Sequence, residues 1–245
     1  MQTEVPKNNQ INNIDDSEEF NVYGIGDKSL RLGFIRKVYL ILATQLVFSA
    51  FLVVMSIYNE AYKTFLVQNP AMLIVAAVAS IILIYALMCY KSVSRKVPTN
   101  YILLALFTLC EGYMVSAITL QTDPQLVLIA AVLTAGIVVS LTIYAITTKT
   151  DFTMMGGLLF MLLVTLILAS FLGFFFRSKG FQIVISSFSV ILFGLYPIYD
   201  TQLIVGGKRR ELSVDDYIVG ALMLYIDIIQ IFIEILRILS IATNN

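Results

Sequence analysis

The sequence predicts an all-α polytopic membrane protein with seven transmembrane helices, and three observations carry that prediction. Of its 245 residues, 59% are hydrophobic and only 13% are charged, where soluble domains average about 45–50% apolar and about 25% charged. Mean hydropathy is +0.88. Seven apolar runs reach or approach the roughly 20 residues that a helix needs to cross a bilayer, and the connections leave no room for a soluble domain.

The first 30 residues are polar, rich in Asn, Gln, Asp and Glu, with no apolar stretch of signal-peptide length. Residues 1–30 therefore read as a disordered cytosolic tail and 31–245 as the seven-helix transmembrane domain. The spanning runs are Phe34–Tyr58, Ala71–Tyr90, Tyr101–Leu120, Leu126–Thr147, Thr153–Phe176, Phe181–Val205 and Tyr217–Ile241. Turn-forming residues separate them: Asn69-Pro70, Val97-Pro-Thr-Asn100, Thr122-Asp-Pro124, Ser178-Lys-Gly180 and Gly206-Gly207.

Lys and Arg set the orientation. The amino-terminal flank and the even-to-odd connections hold twelve of them: Lys7, Lys28, Arg31, Arg36, Lys37, Lys91, Arg95, Lys96, Lys149, Lys208, Arg209 and Arg210. The other side holds four: Lys63, Arg177, Lys179 and Arg237. The amino terminus is therefore expected in the cytosol. The seventh run carries Asp227, Glu234 and Arg237, so it either spans or re-enters as a hairpin.

Several function classes drop out. Net charge is zero and no basic stripe with interleaved aromatics exists, which excludes nucleic-acid binding. There is no histidine, which removes the ordinary zinc and haem ligand sets and the usual near-neutral titrating group. Any pH response then has to come from a carboxyl group that keeps its proton. The two cysteines, Cys89 and Cys110, sit in or at the end of apolar runs and read as buried thiols rather than a disulfide.

Three acids interrupt the apolar runs: Glu111, Asp200 and Asp227. An ionised carboxylate in hydrocarbon costs several kcal/mol, so each needs a partner, a proton or an ion. Pro197 should kink the sixth helix by freeing the carbonyl of Phe193, which makes Asp200 either cavity-facing or interfacial. The short loop from Gly206 to Asp216 makes helices six and seven antiparallel neighbours. Its Ser213 is expected to cap the seventh helix, with Asp215 and Asp216 in the first turn. Asp200 and Asp227 then either meet across the helix pair and share one proton, or face the cavity independently. Glu234 and Arg237, three apart, are expected to pair. Arg95 and Lys96 set topology or snorkel toward the acids. Oxygen-only donors suit a hard cation such as calcium, and three acids suit weak, transient binding rather than a closed cage. No resident cofactor is expected.

Several segments resemble the transmembrane Bax inhibitor motif family, in its lifeguard branch. They are Phe34-Ile-Arg-Lys-Val-Tyr39, Lys96-Val-Pro-Thr-Asn-Tyr-Ile-Leu-Leu104, Glu111-Gly-Tyr-Met-Val-Ser-Ala117, Tyr199-Asp-Thr-Gln-Leu-Ile-Val-Gly-Gly-Lys208 and Asp216-Tyr-Ile-Val-Gly-Ala-Leu-Met-Leu-Tyr-Ile-Asp-Ile-Ile229. The resemblance spans about residues 31–240. It implies a seven-helix fold with helix seven central. It also implies a pH-sensitive calcium leak across an intracellular membrane, endoplasmic reticulum or Golgi, that suppresses cell death. The family's paired aspartates match Asp200 and Asp227 as pH sensor, gate and transient calcium ligands. Arg95 matches the latch, with Lys96 where many relatives have a second Arg, and the helix-three acid matches Glu111. The expected ion pathway is Glu111, Asp200, Asp227 and Glu234, with calcium, protons and membrane lipid as partners.

The alternative is a non-conducting scaffold that binds apoptosis regulators or other calcium channels. No enzyme is expected. An intramembrane aspartyl protease fails because its glycine-rich string, Gly24-Ile-Gly-Asp27, lies in the polar tail. A seven-helix receptor lacks its helix-three and helix-seven motifs.

Overall fold

The computed structural model describes residues 12–173, 175 and 178–243, with side chains from Lys28 onward. Nine α-helices follow one another among the described residues: α1 Asn12–Tyr58, α2 Glu60–Gln68, α3 Ala71–Cys89, α4 Lys91–Ser94, α5 Thr99–Thr119, α6 Pro124–Thr147, α7 Gly156–Leu172, α8 Lys179–Val205 and α9 Tyr217–Thr243. A 3-10 turn, Phe152–Met155, leads into α7. Seven helices are long and apolar enough to cross a bilayer: α1, α3, α5, α6, α7 with its leading turn, α8 and α9. They coincide with the seven apolar runs. The short α2 and α4 lie in the connections and had no apolar run to announce them.

Of the expected tail, residues 1–11 lie outside the described residues, and the backbone of 12–30 is the first part of α1. Elsewhere the breakers act as local chemistry dictates. Asn59 accepts the Tyr62 N–H at 2.9 Å and starts α2. Asp123 accepts the Gln125 N–H at 2.8 Å with Pro124 in the first turn of α6, a position where the missing proline N–H would have had no partner anyway. Ser178 accepts the Phe181 N–H at 3.2 Å and caps α8. Gly206 and Gly207 end α8 with φ of 76° and 75°, a region open to glycine at little steric cost.

The fold is a bundle around α9. Of that helix's most apolar stretch, 67% is buried, against 44% for α5 and 28% or less for the other spanning helices. α9 touches α1, α3, α5, α6 and α8, whereas α7 packs chiefly on α8 and the turn before it. Three apolar clusters fill the interior. Phe34, Val38 and Leu42 of α1 meet Leu104 and Phe107 of α5, Ile204 of α8 and Ile218, Leu222 and Tyr225 of α9. Val127 and Ala130 of α6 pack on Ile231, Ile235 and Leu236 of α9. Leu159 and Leu166 of α7 pack on Leu192 of α8. Lipid tails are as apolar as leucine, so close packing and internal hydrogen bonds hold such helices together. Gly220 shows the closeness: a Cβ there would lie 3.3 Å from Ile204 and from Val38.

α9 is one continuous helix of 27 residues, about 40 Å long, so the seventh run spans rather than re-enters. The seven crossings put the two ends of the bundle's chain on opposite faces. Cys89 is exposed and Cys110 half-buried, and both are free. The expected burial of both thiols is therefore corrected, because Cys89 closes α3 on its outward side.

Candidate functional site

The site is built by α8 and α9. Pro197 lies inside α8, where it cannot bond the carbonyl of Phe193 one turn back. Asp200 follows on the next turn and is 2% exposed, while Asp227 of α9 is 5% exposed. The two carboxyl groups lie close enough to act on each other. A carboxylate has no donor, so a hydrogen bond between them needs a proton on one of the two. Asp200 Oδ1 and Asp227 Oδ2 are buried with no hydrogen-bond partner. Neither acid is in an ion pair among the described residues. Tyr196 lies near both acids, with its hydroxyl donating to the Leu159 carbonyl at 3.0 Å.

The expected latch is elsewhere. Arg95 donates through Nε to Asp216 Oδ1 at 2.7 Å and through Nη2 to Oδ2 at 2.9 Å. This fork-to-carboxylate geometry is the strong form of an ion pair, and it pushes the guanidinium further above its ordinary value. Asp216 precedes Asp227 by eleven residues, about 16 Å along the axis of α9. The structure thus corrects the expectation that Arg95 reaches the paired acids. It engages the acid at the start of α9 instead.

Glu111 is also apart from the pair. It sits half-buried on α5, beside Ser80 of α3 and near Tyr225 of α9. Tyr225 and Asp227 are two residues apart, roughly 200° around the helix. Glu111 and Asp200 therefore address opposite faces of α9. The Glu111 face has its own polar chain. Tyr225 shares a 2.7 Å hydrogen bond with Ser49, Ser49 donates to the Gln45 carbonyl at 3.0 Å, and Gln45 donates to Thr108 at 2.9 Å. Glu234 lies seven residues beyond Asp227 on the same face of α9, about 10 Å along the axis. It is 7% exposed and pairs with Arg237 at 3.4 Å. No group of three or more acids or cysteines that could hold a metal ion occurs among the described residues.

Around the end of the bundle that carries the basic loops, sequence reasoning missed the residues that do the holding. Arg31, counted only as a topology-setting charge, donates to the carbonyls of Leu203 at 2.7 Å, Val205 at 3.2 Å and Leu212 at 2.6 Å. Those carbonyls belong to the last turn of α8 and the loop after it, where no helical donor is available. Gln202, 2% exposed, donates to Ala145 and Thr150 and accepts from the Phe152 N–H at 2.8 Å. Lys208 donates to the carbonyls of Thr148, Lys149 and Thr150. Asp151 is held below the usual carboxylate range, first by the Thr153 hydroxyl and then by backbone N–H groups and Lys208. Ser213 does not cap α9. It accepts the Asp215 N–H at 3.4 Å within the turn, and Asp216 is the residue next to the helix start. The presence of a Gln in the Asp200-Thr-Gln202 block was the one signal available for this cluster.

The family described as inhibitor of apoptosis-promoting Bax1 matches residues 31–244. The chain is 37% identical over 216 residues to protein lifeguard 4 of Mus musculus, covering 88% of this chain and 87% of that one. It is 34% identical over 228 residues to protein lifeguard 3 of Homo sapiens, covering 91% and 73%. It is 32% identical over 216 residues to the Golgi anti-apoptotic protein of Vaccinia virus (strain Lister), covering 88% of each.

Proposed function

This chain belongs to the family of inhibitors of apoptosis-promoting Bax1, and from that membership we propose that it suppresses cell death by leaking calcium, under proton control, from the Golgi or endoplasmic reticulum. The anti-apoptotic part draws on relatives named as lifeguard and Golgi anti-apoptotic proteins, and the Golgi on the second of those names. The leak rests on a single observation. Asp200 and Asp227 lie buried side by side inside the bundle, and neither is in an ion pair among the described residues.

The chemistry follows from that contact. With one proton between them, the two carboxyl groups hold α8 against α9. When the proton leaves, two like charges face each other in a medium of low dielectric, where repulsion is far stronger than in water. The helices then separate, or a cation takes the proton's place. Carboxylate oxygens suit calcium, which takes six to eight oxygen ligands. The two acids supply at most four, and the carbonyl freed by Pro197 is a further candidate. Incomplete coordination gives weak binding, which conduction requires. Proton release at the pair opens the path and proton uptake closes it. Arg95 acts on the start of α9 through Asp216 rather than on the pair.

The test is calcium flux in proteoliposomes as a function of pH. Asp227→Asn keeps a hydrogen-bond donor beside Asp200 but cannot give up a proton, so flux should lose its pH response. An unchanged flux and pH response would remove the mechanism. Protection of cells that survives loss of both Asp200 and Asp227 would favour the scaffold reading.

A further inference from the structure

Ser213, in the loop between α8 and α9, is exposed. It lines a cavity of about 380 Å³ together with Lys91, Arg95, Glu211 and Asp216. Acids stand two and three positions after it, at Asp215 and Asp216. A serine followed by acids at these positions is the pattern read by acidophilic protein kinases, whose basic pockets hold the downstream carboxylates. The cavity also suits the product. Arg95 uses two N–H groups on Asp216 out of the five that a guanidinium carries, and Lys91 contributes an ammonium to the same wall. α9 begins four residues on, at Tyr217, and helix amino termini favour anions.

We propose that Ser213 is a phosphoacceptor for an acidophilic protein kinase, and that its phosphate draws Arg95 away from Asp216. In the transfer, Ser213 Oγ attacks the γ-phosphorus of ATP. The Oγ–P bond forms, the bond from that phosphorus to the bridging oxygen breaks, and ADP leaves with the electron pair. The hydroxyl proton passes to the kinase's catalytic carboxylate. The phosphate adds about −1.5 to −2 charges and three acceptor oxygens. It attracts Lys91 and Arg95, and it repels Asp215 and Asp216. Both effects act against the Arg95–Asp216 pair. The dependence runs the other way too. Asp216 is 7% exposed and held by Arg95, so a kinase that reads it acts on the open pair. The inference does not depend on the chain conducting calcium.

The experiment uses the full chain in nanodiscs with ATP, magnesium and a purified acidophilic serine/threonine kinase. Mass spectrometry should find one phosphate on Ser213, absent from Ser213→Ala, and incorporated several-fold faster in Arg95→Gln. If that variant does not fold, Arg95→Lys, which keeps the charge but loses the fork, should show the same direction. Absence of phosphate from Ser213 in the folded wild type overturns the proposal. Equal rates with and without the Arg95 guanidinium overturn its coupling to the pair.

Discussion

Arg95 and Asp216 are 121 residues apart in sequence and joined by two hydrogen bonds, at 2.7 and 2.9 Å. The pair fastens the loop ahead of α5 to the start of the central helix. The Asp216 side chain is 10% exposed and that of Arg95 35%, so the acid is the more desolvated partner. Removing Arg95 leaves a nearly buried charge alone. Arg95→Gln should therefore lower unfolding stability by about 1–3 kcal/mol, and Arg95→Gln with Asp216→Asn should recover part of that loss. Denaturant unfolding of the three proteins in detergent reads both outcomes.

At Asp200 and Asp227 the single carboxyl-to-amide variants should stay folded, because an Asn side chain donates to the remaining acid. Replacing Asp227 by Ala should destabilise by about 1–3 kcal/mol, the cost of orphaning a buried polar group. Thermal unfolding of Asp227→Asn beside Asp227→Ala separates loss of the proton from loss of the hydrogen bond.

The two glycines that end α8 are not equivalent. Both have positive φ, which costs a non-glycine residue about 1–3 kcal/mol. At Gly206 a Cβ would also stand 2.6 Å from Glu211 and 2.7 Å from Arg31, whereas Gly207 has nothing within 4 Å. Gly206→Ala should be the more destabilising substitution, and it should raise amide hydrogen exchange in the loop that Arg31 holds.

Asp151 gives the bundle an acid-sensitive corner. Its carboxyl is held below the usual range by Thr153. A group depressed in the folded state stabilises above its unfolded value, about 3.9 for Asp, and loses that contribution as pH falls through the folded one. Unfolding temperature should therefore fall on the acid side of that value, and Asp151→Asn should flatten this part of the profile. A profile unchanged by the substitution would refute the assignment.

The seven crossings were legible because hydrophobic length is a local property, and each run predicts its own helix. The approach of Asp200 to Asp227 was half legible. The Gly206-Gly207 turn made the helices neighbours, but spacing left open whether the acids met. The partners of Arg31 and Arg95 were not legible. Backbone carbonyls near Leu203 and Leu212 carry no side-chain signature, and nothing in the chain links position 95 to 216. Ser213 was misread for a related reason. Its turn resembles a cap in sequence, and only the helix start at Tyr217 shows otherwise.

Arg31 grips the far end of the short piece of α8 that follows Pro197. Between them lie only eight residues, 198–205, and Asp200 is one of them. Three hydrogen bonds from Arg31 thus tie that piece and the loop after it to the first helix. The one guanidinium that anchors α1 to this end of the bundle is therefore also the anchor of the backbone that carries Asp200.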